Sequence, residues 1–410
     1  MREVVIAGIG QTPVGELWDV SLRSLAYRAI RDARADAGGL EPQALYIGNF
    51  LASVISHQAN LGALLVDNAG LGGIEAYTLE AAGASGGAAF QSGYMAVASG
   101  LVDVAAVVGV EKATDAVGSS EESALTLAMD MDYEAIAGLT TAGQAGLLLQ
   151  RYLYEYGAPR SVLGAFAQIA YANALHNPNA MNHRAMRPEQ YEKAPLSSAP
   201  LNIYDESQYA DGAAALILTT RERAAGLPHA AIKVAGLGGA IDTLALHDRP
   251  NLLGFDAVSE AVSRALDMAG AGLEDLDFCE PDDAYSIYAL LCREAAGFAE
   301  PGNGWRLAQN GDLTAGNRLP ILTLGGAKGR GNPIGAAGVY QLAEAALQLR
   351  GQAGGAQVPD ARLGLTVCLG GPASTAIAHV LERCDGELLP ADFSSVIAAE
   401  SPSKIDSKLP

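Results

Sequence analysis

The chain has 410 residues, of which 50% are hydrophobic and 6% are aromatic, and it carries a formal net charge of −20. A chain of this length can bury one large core or two fused ones. The acidic charge argues against partners such as nucleic acids and anionic membranes, because binding to either needs a basic surface that neutralises phosphate. We therefore expect no nucleic-acid partner and no membrane partner.

Cysteine usage and hydropathy predict a cytoplasmic protein without a metal site. Cys279, Cys292, Cys368 and Cys384 form no Cys-x-x-Cys pair and no spacing typical of zinc ligands. Three residues precede the first apolar segment, which leaves no room for a secretion signal. No apolar run reaches the roughly 18 residues that a membrane helix needs. Reduced thiols are expected in such a chain.

Short apolar segments alternate with amphipathic helical patterns along the chain, which is typical of a mostly parallel α/β fold. In chain order, strands are predicted for residues 4–8, 102–110, 213–219, 232–236, 276–280 and 363–369. Helices are predicted for residues 21–37, 86–99, 143–156, 257–270 and 336–349.

Two halves of the chain resemble each other. Residues 6–10 (Ile-Ala-Gly-Ile-Gly) match residues 234–238 (Val-Ala-Gly-Leu-Gly), and both indicate a strand that ends in a glycine turn. Residues 36–41 and 268–274 also match, each as the end of an amphipathic helix that stops at glycine. Predicted helices take equivalent places later in each half. We therefore predict a duplicated α/β domain.

The region 119–200 has no counterpart in the second half and is rich in Tyr, Met, Asn, His and Pro. We interpret it as an inserted loop domain with one or two helices, and loops of this kind often contact substrates. The N-terminal half is then residues 1–118 with 201–225, and the C-terminal half is residues 226–384. Residues 385–410 are predicted to form an arm or a tail.

Two motifs, together with the duplication, identify a family. Residues 80–87 read Glu-Ala-Ala-Gly-Ala-Ser-Gly-Gly, and residues 324–335 read Leu-Gly-Gly-Ala-Lys-Gly-Arg-Gly-Asn-Pro-Ile-Gly. This pattern resembles the thiolase superfamily, above all the archaeal acetoacetyl-CoA thiolases and the sterol-carrier-type thiolases. The resemblance extends to about residue 383. It implies a layered αβαβα fold with an inserted loop domain, and a CoA thioester or acyl-carrier thioester as ligand, without a permanent cofactor.

The resemblance also implies that the family's catalytic positions are altered in this chain. Gly83 takes the place of the acyl-accepting cysteine, and Asn332 takes the place of the histidine in a Gly-His-Pro motif. The family motif Glu-x-His-Asp-Cys-Phe reads Glu-Pro-Asp-Asp-Ala-Tyr, so Asp282 replaces its histidine. Cys368, in a Cys-Leu-Gly-Gly segment, matches a second catalytic cysteine. We expect a thiolase-like protein without acyl-cysteine chemistry, in which Asn332, Asp282 and Cys368 are the catalytic candidates.

Adjacent residues in an extended segment point to opposite sides, so we expect only one member of the pair Asp282 and Asp283 to face a pocket. By analogy with the family histidine, that member is Asp282. Two buried carboxylates at one site would raise the pKa of one of them. Asp282 is therefore also a candidate acid or base.

Tyr285 and Tyr340 support a second hypothesis. Some thiolase-like proteins without the cysteine act as retro-aldolases on acyl-CoA side chains through tyrosines, and this chain resembles them. A carbon–carbon lyase acting on a β-hydroxyacyl-CoA is therefore an alternative function. Aromatic packing is the structural interpretation of the same two residues. A third hypothesis is a structural scaffold with a vestigial pocket, whereas a non-catalytic subunit that binds a thioester belongs to the first.

Further residues are candidates for substrate binding, with a plain loop role as the alternative. They are His57, His176, His183, Gly325, Gly326 and Gly371. The run that contains Gly325 lacks the Gly-Lys-Ser/Thr ending of a phosphate loop and predicts a tight turn before a helix. Its Lys328 and Arg330 are interpreted as solvated charges, with contact to a CoA phosphate as the alternative.

The family resemblance also implies partners. Its members form homodimers, often paired into tetramers. Archaeal members can assemble with a small zinc-ribbon/OB-fold protein and with a 3-hydroxy-3-methylglutaryl-CoA synthase. We therefore expect a homodimer or tetramer that acts on an acyl-CoA-type molecule, with a complex of this kind as a candidate assembly.

Overall fold

The fold was analysed in a computed structural model that describes residues 1–309, 311, 313–314 and 317–384. The predicted tail, residues 385–410, lies outside the described residues. The strands are β1 (Val4–Gln11), β2 (Ala44–Gly48), β3 (Glu75–Leu79), β4 (Val104–Lys112), β5 (Asp211–Thr220), β6 (Ile232–Ile241), β7 (Phe278–Glu280), β8 (Leu363–Gly370) and β9 (Thr375–Arg383).

The helices follow the same chain order. They are α1 (Leu22–Asp36), α2 (Leu61–Asn68), α3 (Ser85–Ser99), α4 (Ser119–Leu125), α5 (Thr141–Tyr156), α6 (Gly164–Ala174), α7 (Pro188–Glu192), α8 (Asp256–Ala269), α9 (Ser286–Ala295), α10 (Gly304–Gln309), α11 (Gly326–Arg330) and α12 (Ala337–Arg350). In the described part of the chain, no helix has the length and apolar character needed to cross a membrane.

The strands form one nine-stranded sheet in the order β3-β2-β4-β5-β1-β6-β9-β8-β7. The prediction of a mostly parallel sheet was wrong. Among these strands, the pairs β2–β3, β2–β4 and β7–β8 are parallel, and the other five neighbouring pairs are antiparallel. Sequence reasoning missed β2, β3 and β9. Since β9 follows β8 after a short turn, β8 and β9 pair as an antiparallel hairpin, which the βαβ pattern does not predict.

Strand pairing repeats in the two halves. In the first half, β1 and β4 flank β5 in antiparallel pairs, and β2 pairs in parallel with β4. In the second half, β6 and β8 flank β9 in antiparallel pairs, and β7 pairs in parallel with β8. The two sets join through a short antiparallel contact between β1 and β6. This topology agrees with a duplicated unit.

The helices pack on both faces of the sheet. One core cluster places α1 against alternate residues of β1, β4 and β5, including Val5, Ala106 and Ile217. A second cluster places α3 and α12 against the intervening residues, such as Ile6, Val107 and Leu216. In the second half, α8 packs on β6 and β9. Helices α3 and α12 contact each other as well as strands, and so form a central layer.

The repeated glycine motif serves a different purpose from the predicted turn. Strands β1 and β6 continue through it, and both have a register shift there, between Ile6 and Gly8 and between Val234 and Gly236. A Cβ on Gly8 would overlap the carbonyl oxygen of Ala33 in α1, and a Cβ on Gly238 would overlap that of Ala261 in α8. The glycines are therefore needed because each outer helix packs directly on the strand backbone.

The segment between β4 and β5 contains α4, α5, α6 and α7. This is more helix than the one or two helices predicted for residues 119–200. Helix α5 begins at an N-cap, because the Thr140 side chain accepts a hydrogen bond from the Gly143 amide at 3.0 Å. The buried residues of α5 and α6 belong to the same core cluster as α9. This packing fixes the inserted helices against the second half.

Gly238→Ala is expected to lower the free energy of unfolding by about 2–3 kcal/mol, because the added methyl group forces α8 away from β6. Gly239→Ala in the same strand is the matched control, since its Cβ would meet only the Gln91 side chain, at 3.5 Å. We expect the control to change stability by less than about 0.5 kcal/mol. Urea unfolding of both variants tests this, and equal effects would contradict the packing argument.

Candidate active site

A cavity of about 70 Å³ lies where the turns that precede α3 and α12 meet the end of β8. Its lining includes five residues that the sequence singled out. They are Gly83, Asp282, Tyr285, Asn332 and Gly371. The lining is completed by Phe50, Leu125, Ala128, Thr141, Gln144, Tyr209, Ala284, Tyr288, Ile334, Ala337 and Leu369. Both halves and the inserted helices therefore contribute to one site, which we call the inner cavity.

Gly83 lies in the short turn Ala82–Ala84 that leads into α3. A Cβ built on Gly83 would lie 2.5 Å from the carbonyl oxygen of Leu369. Such a contact is too short for real atoms, so a side chain here requires the backbone to shift. The nearby Ser85 hydroxyl is fully buried, donates to the Ala82 carbonyl at 2.6 Å and accepts from the Ala81 amide at 2.9 Å. These bonds tie the turn together and direct the hydroxyl away from the cavity lining.

Asn332 is held in place on both sides of its amide. Its Nδ2 donates to the Ser207 hydroxyl at 2.9 Å, and its Oδ1 accepts from the Ile334 backbone at 3.0 Å. Its own backbone N–H donates to the carbonyl of Gln208 at 2.8 Å. The extended segment around residues 207–209 therefore runs beside the turn before α12. This contact brings Tyr209 into the inner cavity.

Asp282 follows β7 and faces the inner cavity. Its carboxylate accepts hydrogen bonds from the backbone of Ala284 at 3.0 Å and of Leu369 at 3.2 Å. Burial is the main reason that its pKa is raised to about 6; the backbone bonds work against this rise, and the neighbouring Asp283 charge adds to it. Asp283 points the other way and accepts from the amides of Ala327 and Lys328 at the start of α11.

Three hydroxyl groups meet on one wall of the inner cavity. The Tyr285 hydroxyl donates to Thr141 Oγ1 at 3.1 Å and lies 3.4 Å from the Tyr209 hydroxyl. The Tyr209 hydroxyl lies 3.5 Å from Thr141 Oγ1. Burial raises the pKa of Tyr285 well above its ordinary value, so the phenol stays protonated. Sequence reasoning missed Thr141 and Tyr209, because both come from segments outside the motifs that it compared.

Two predicted catalytic residues lie outside the cavity lining. The first is Cys368, which packs in a small cluster with Ala84 and Ile377, and its Sγ contacts the Ile377 carbonyl at 3.6 Å. Burial raises the pKa of this thiol to about 12. Since side chains alternate along β8, Leu369 lines the cavity and Cys368 faces the central helices. A neutral, enclosed thiol of this kind suits packing.

The second is Tyr340, which is fully buried on α12. Its hydroxyl lies 2.9 Å from the Thr12 carbonyl and 3.0 Å from the Ala213 carbonyl. The Arg330 guanidinium lies 5.0 Å from the centre of its ring. These contacts bind α12 to β5 and to the residue that follows β1, and they account for Tyr340 as a core residue.

Most of the remaining binding candidates lie away from the inner cavity, either on the surface or at the start of α11. His57, His176 and His183 are exposed and do not line the inner cavity. Gly325 and Gly326 begin α11 behind the Asp283 carboxylate, with φ angles of +106° and +54°. Of the predicted binding residues, only Gly371 lines the cavity.

The interpretation of Lys328 and Arg330 as solvated charges was wrong, because both are buried. Lys328 donates to the carbonyl oxygens of Asp205 and Asp283, both at 2.8 Å. Arg330 forms a 2.6 Å ion pair with Glu344 on α12. Charged side chains are buried when partners satisfy them, and a sequence does not show such partners.

Comparison with known proteins identifies the family. The thiolase N-terminal domain model matches residues 4–193, and the thiolase C-terminal domain-like model matches residues 238–383. This chain belongs to the thiolase superfamily. The family resemblance and the thiolase-type α/β fold predicted from the sequence are thereby confirmed.

Three relatives illustrate the range of this superfamily. The acetyl-CoA acetyltransferase of Methanothermobacter thermautotrophicus is 39% identical over 385 residues, which cover 93% of this chain and 100% of the relative. The benzoylsuccinyl-CoA thiolase subunit BbsB of Thauera aromatica is 30% identical, with coverage of 90% and 95%. A solved structure described as Ltp2-ChsH2(DUF35) aldolase aligns with a TM-score of 0.81 at 25% identity, covering 93% of this thiolase-family chain and 98% of that chain.

The described residues contain no group of three or more His, Cys, Asp or Glu side chains arranged to hold a metal ion. The inner cavity instead offers a carboxylate, two side-chain amides and hydroxyl groups. These can accept, donate and relay protons to a bound carbonyl compound.

Asp282→Asn is expected to change how stability depends on pH. Because the fold raises the pKa of Asp282 from 3.8 to about 6, the folded protein holds this proton more tightly than the unfolded chain does. Ionisation of Asp282 therefore costs stability as the pH rises through this window. Relative to wild type, the variant should gain about 2–3 kcal/mol between about pH 4 and about pH 7.

Urea unfolding at both pH values measures this difference. Asp248→Asn is the control, because its side chain is 65% exposed and should give no such gain. An Asp282→Asn effect that is the same at both pH values would contradict a raised pKa at this site.

Proposed function

We propose that this thiolase-family protein binds an acyl-CoA or acyl-carrier thioester at the inner cavity and does not form an acyl-cysteine. The observation that carries the proposal is Gly83. This residue lines the cavity in the turn before α3, and the Leu369 carbonyl oxygen occupies the space where its side chain would begin. The family matches support a thioester ligand. The protein is then a thiolase of changed chemistry or a non-catalytic subunit.

The groups that remain in the inner cavity favour proton transfer over acyl transfer. Asp282 has a pKa of about 6, so it is mostly ionised at neutral pH and still binds a proton readily. Tyr285 is a protonated phenol in the same lining. A base and a neutral donor in one cavity can remove one proton and supply another.

A carbon–carbon lyase is the second candidate, and Tyr285 and the aldolase-type structural neighbour favour it. In this reaction a base removes the proton of the β-hydroxyl group of a β-hydroxyacyl thioester. The bond between C2 and C3 breaks, C3 becomes a carbonyl group, and the electron pair moves to C2 as a thioester enolate. An acid then protonates C2. Asp282 and Tyr285 are the candidates for the base and the acid.

We also propose that the protein works in an assembly. The description of the aldolase neighbour, Ltp2-ChsH2(DUF35) aldolase, names two components, which supports a second protein component here. The predicted homodimer or tetramer, and the predicted complex with a zinc-ribbon/OB-fold protein or a 3-hydroxy-3-methylglutaryl-CoA synthase, stay predictions.

We expect no thiolysis of acetoacetyl-CoA and no covalent acyl adduct after incubation with acetyl-CoA, as measured by thiolysis assay and by mass spectrometry of the denatured protein. Calorimetry should nevertheless detect binding of a CoA thioester. Gly83→Cys should not create thiolase activity and should destabilise the fold by about 1–3 kcal/mol through overpacking.

Gly72→Cys is the matched control, because a Cβ there meets no atom within 4 Å. It should fold as stably as the wild-type protein. Rapid thiolysis of acetoacetyl-CoA by the wild-type protein would refute the absence of acyl-cysteine chemistry, and failure of every CoA thioester to bind would refute the ligand class.

The lyase candidate is tested with β-hydroxyacyl-CoA compounds by detecting the carbonyl product and the shortened thioester. Tyr285→Phe should lower turnover by about 100-fold or more, because it removes a proton donor from the cavity. Tyr340→Phe should keep the activity and lower stability by about 1–2 kcal/mol, because it removes a buried hydrogen bond outside the cavity. Full activity of Tyr285→Phe would exclude that tyrosine from the reaction.

A further inference from the structure

A second cavity, of about 820 Å³, lies between the loop around residues 133–139, helix α5 and the segment 246–252. We call it the outer cavity. Its apolar and aromatic lining consists chiefly of Tyr133, Leu139, Leu147, Tyr154, Leu246 and Leu252. Several of these side chains are exposed, including Tyr133 at 70% and Tyr154 at 82%. An exposed apolar surface of this kind usually marks a binding site.

The two cavities share helix α5. Thr141 and Gln144, in its first turn, line the inner cavity, whereas Leu147 and Tyr154, farther along, line the outer one. The loop before α5 also leads from one cavity to the other. Its Leu139 lines the outer cavity, and Thr141, two residues later, lines the inner one. The cavities are therefore neighbours along one wall.

Hydrogen bonds of polar side chains connect the two linings. Glu134 lines the outer cavity and accepts a 3.1 Å hydrogen bond from Gln144, which lines the inner one. The Glu134 carboxylate is also fixed by the Leu246 amide at 2.9 Å. On the other side, Arg249 of the outer cavity donates to the Pro372 carbonyl at 2.6 Å, next to Gly371 of the inner cavity.

The difference in volume between the two cavities indicates which part of a ligand each cavity could hold. At about 70 Å³ the inner cavity can enclose the reacting atoms of a thioester but no large substituent. The outer cavity falls within the roughly 300–1,000 Å³ range of small-molecule sites, and the apolar part of its lining suits hydrocarbon. Burying hydrocarbon there is favourable in proportion to the apolar area removed from water.

We propose that the outer cavity receives the distal hydrocarbon part of the acyl group whose thioester end lies in the inner cavity. This inference rests on the proposed function and names its substrate class: thioesters of long-chain acids. The Gln144 side chain, held by its bond to Glu134, lies between the two parts of the ligand and turns aside to admit it.

The test compares two thioether analogues that cannot react, S-ethyl-CoA and S-dodecyl-CoA, by isothermal titration calorimetry below the micelle concentration. The wild-type protein should bind S-dodecyl-CoA at least about tenfold more tightly. Leu147→Trp places a bulkier side chain in the path of the alkyl chain through the outer cavity and should remove this preference. S-ethyl-CoA binding should stay within about twofold of wild type, because the inner cavity is untouched.

Leu101→Trp is the matched control, since Leu101 is a 69% exposed leucine outside both linings. It should keep the full preference. Because Leu147 is itself 50% exposed, its replacement should not disturb folding. Circular dichroism checks this, and Leu139→Phe provides a second way of obstructing the cavity.

The outcomes separate the two proposals. Equal binding of both analogues by the wild-type protein, or a preference that survives both cavity-obstructing variants, overturns the outer-cavity inference and leaves the proposed function standing. Binding of neither analogue overturns the proposed function itself. Loss of the preference in Leu147→Trp and Leu139→Phe, with its retention in Leu101→Trp, supports both.

Discussion

Close packing of α3 against α12 fixes where the candidate site forms. A Cβ on Gly86 would lie 2.9 Å from the Val339 amide, and a Cβ on Gly338 would lie 2.8 Å from the Gly87 amide. The two equivalent helices therefore approach each other at backbone distance near their first turns. Because each helix follows a short turn, this contact brings the turn at Gly83 and the turn that follows Asn332 to a common space. The inner cavity is what remains between them.

A buried carboxylate then joins the walls of that space. Glu111, at the end of β4, accepts hydrogen bonds from the backbone of Phe50 at 3.0 Å, Leu51 at 3.1 Å and Gly335 at 3.2 Å. Phe50 belongs to the first half, and Gly335 belongs to the turn before α12. Burial raises the pKa of Glu111 to about 7, although these bonds favour its charge. One side chain thus holds loops from both halves, and charged groups at such a depth carry a desolvation cost.

The parts of this structure that follow from local pattern could be predicted from the sequence. The helices near residues 21–37 and 257–270, for example, are amphipathic and end at glycine, so their existence needs no tertiary information. The repeated glycine motif was recognised, but its purpose was not. A glycine needed for a close helix-to-strand contact looks the same in a sequence as a glycine in a turn, and only the position of Ala261 on α8 distinguishes the two.

The site was predictable wherever a motif fixes the backbone and unpredictable wherever distant segments meet. Gly83, Asp282 and Asn332 line the cavity because each lies in a motif at the end of a strand or just before a helix. Cys368 shows that a one-residue difference along a strand decides which side chain faces the site. Thr141 and Tyr209 reach the cavity through contacts between segments that are far apart in the chain, for which the sequence carries no local signal.

The charge of the inner cavity constrains its chemistry. Its lining includes no Lys, Arg or His among the described residues, and Asp282 is its ionisable carboxylate. A thioester enolate formed there would therefore be stabilised by a neutral donor, the Asn332 amide, which has one N–H bonded to Ser207 and a second N–H to offer. Such donors stabilise developing negative charge well only when they are held in place before the reaction. The hydrogen bonds that fix Asn332 provide that preorganisation, and the ionised Asp282 opposes a second negative charge until it has taken up a proton. Proton transfer to Asp282 and enolate formation should then occur together.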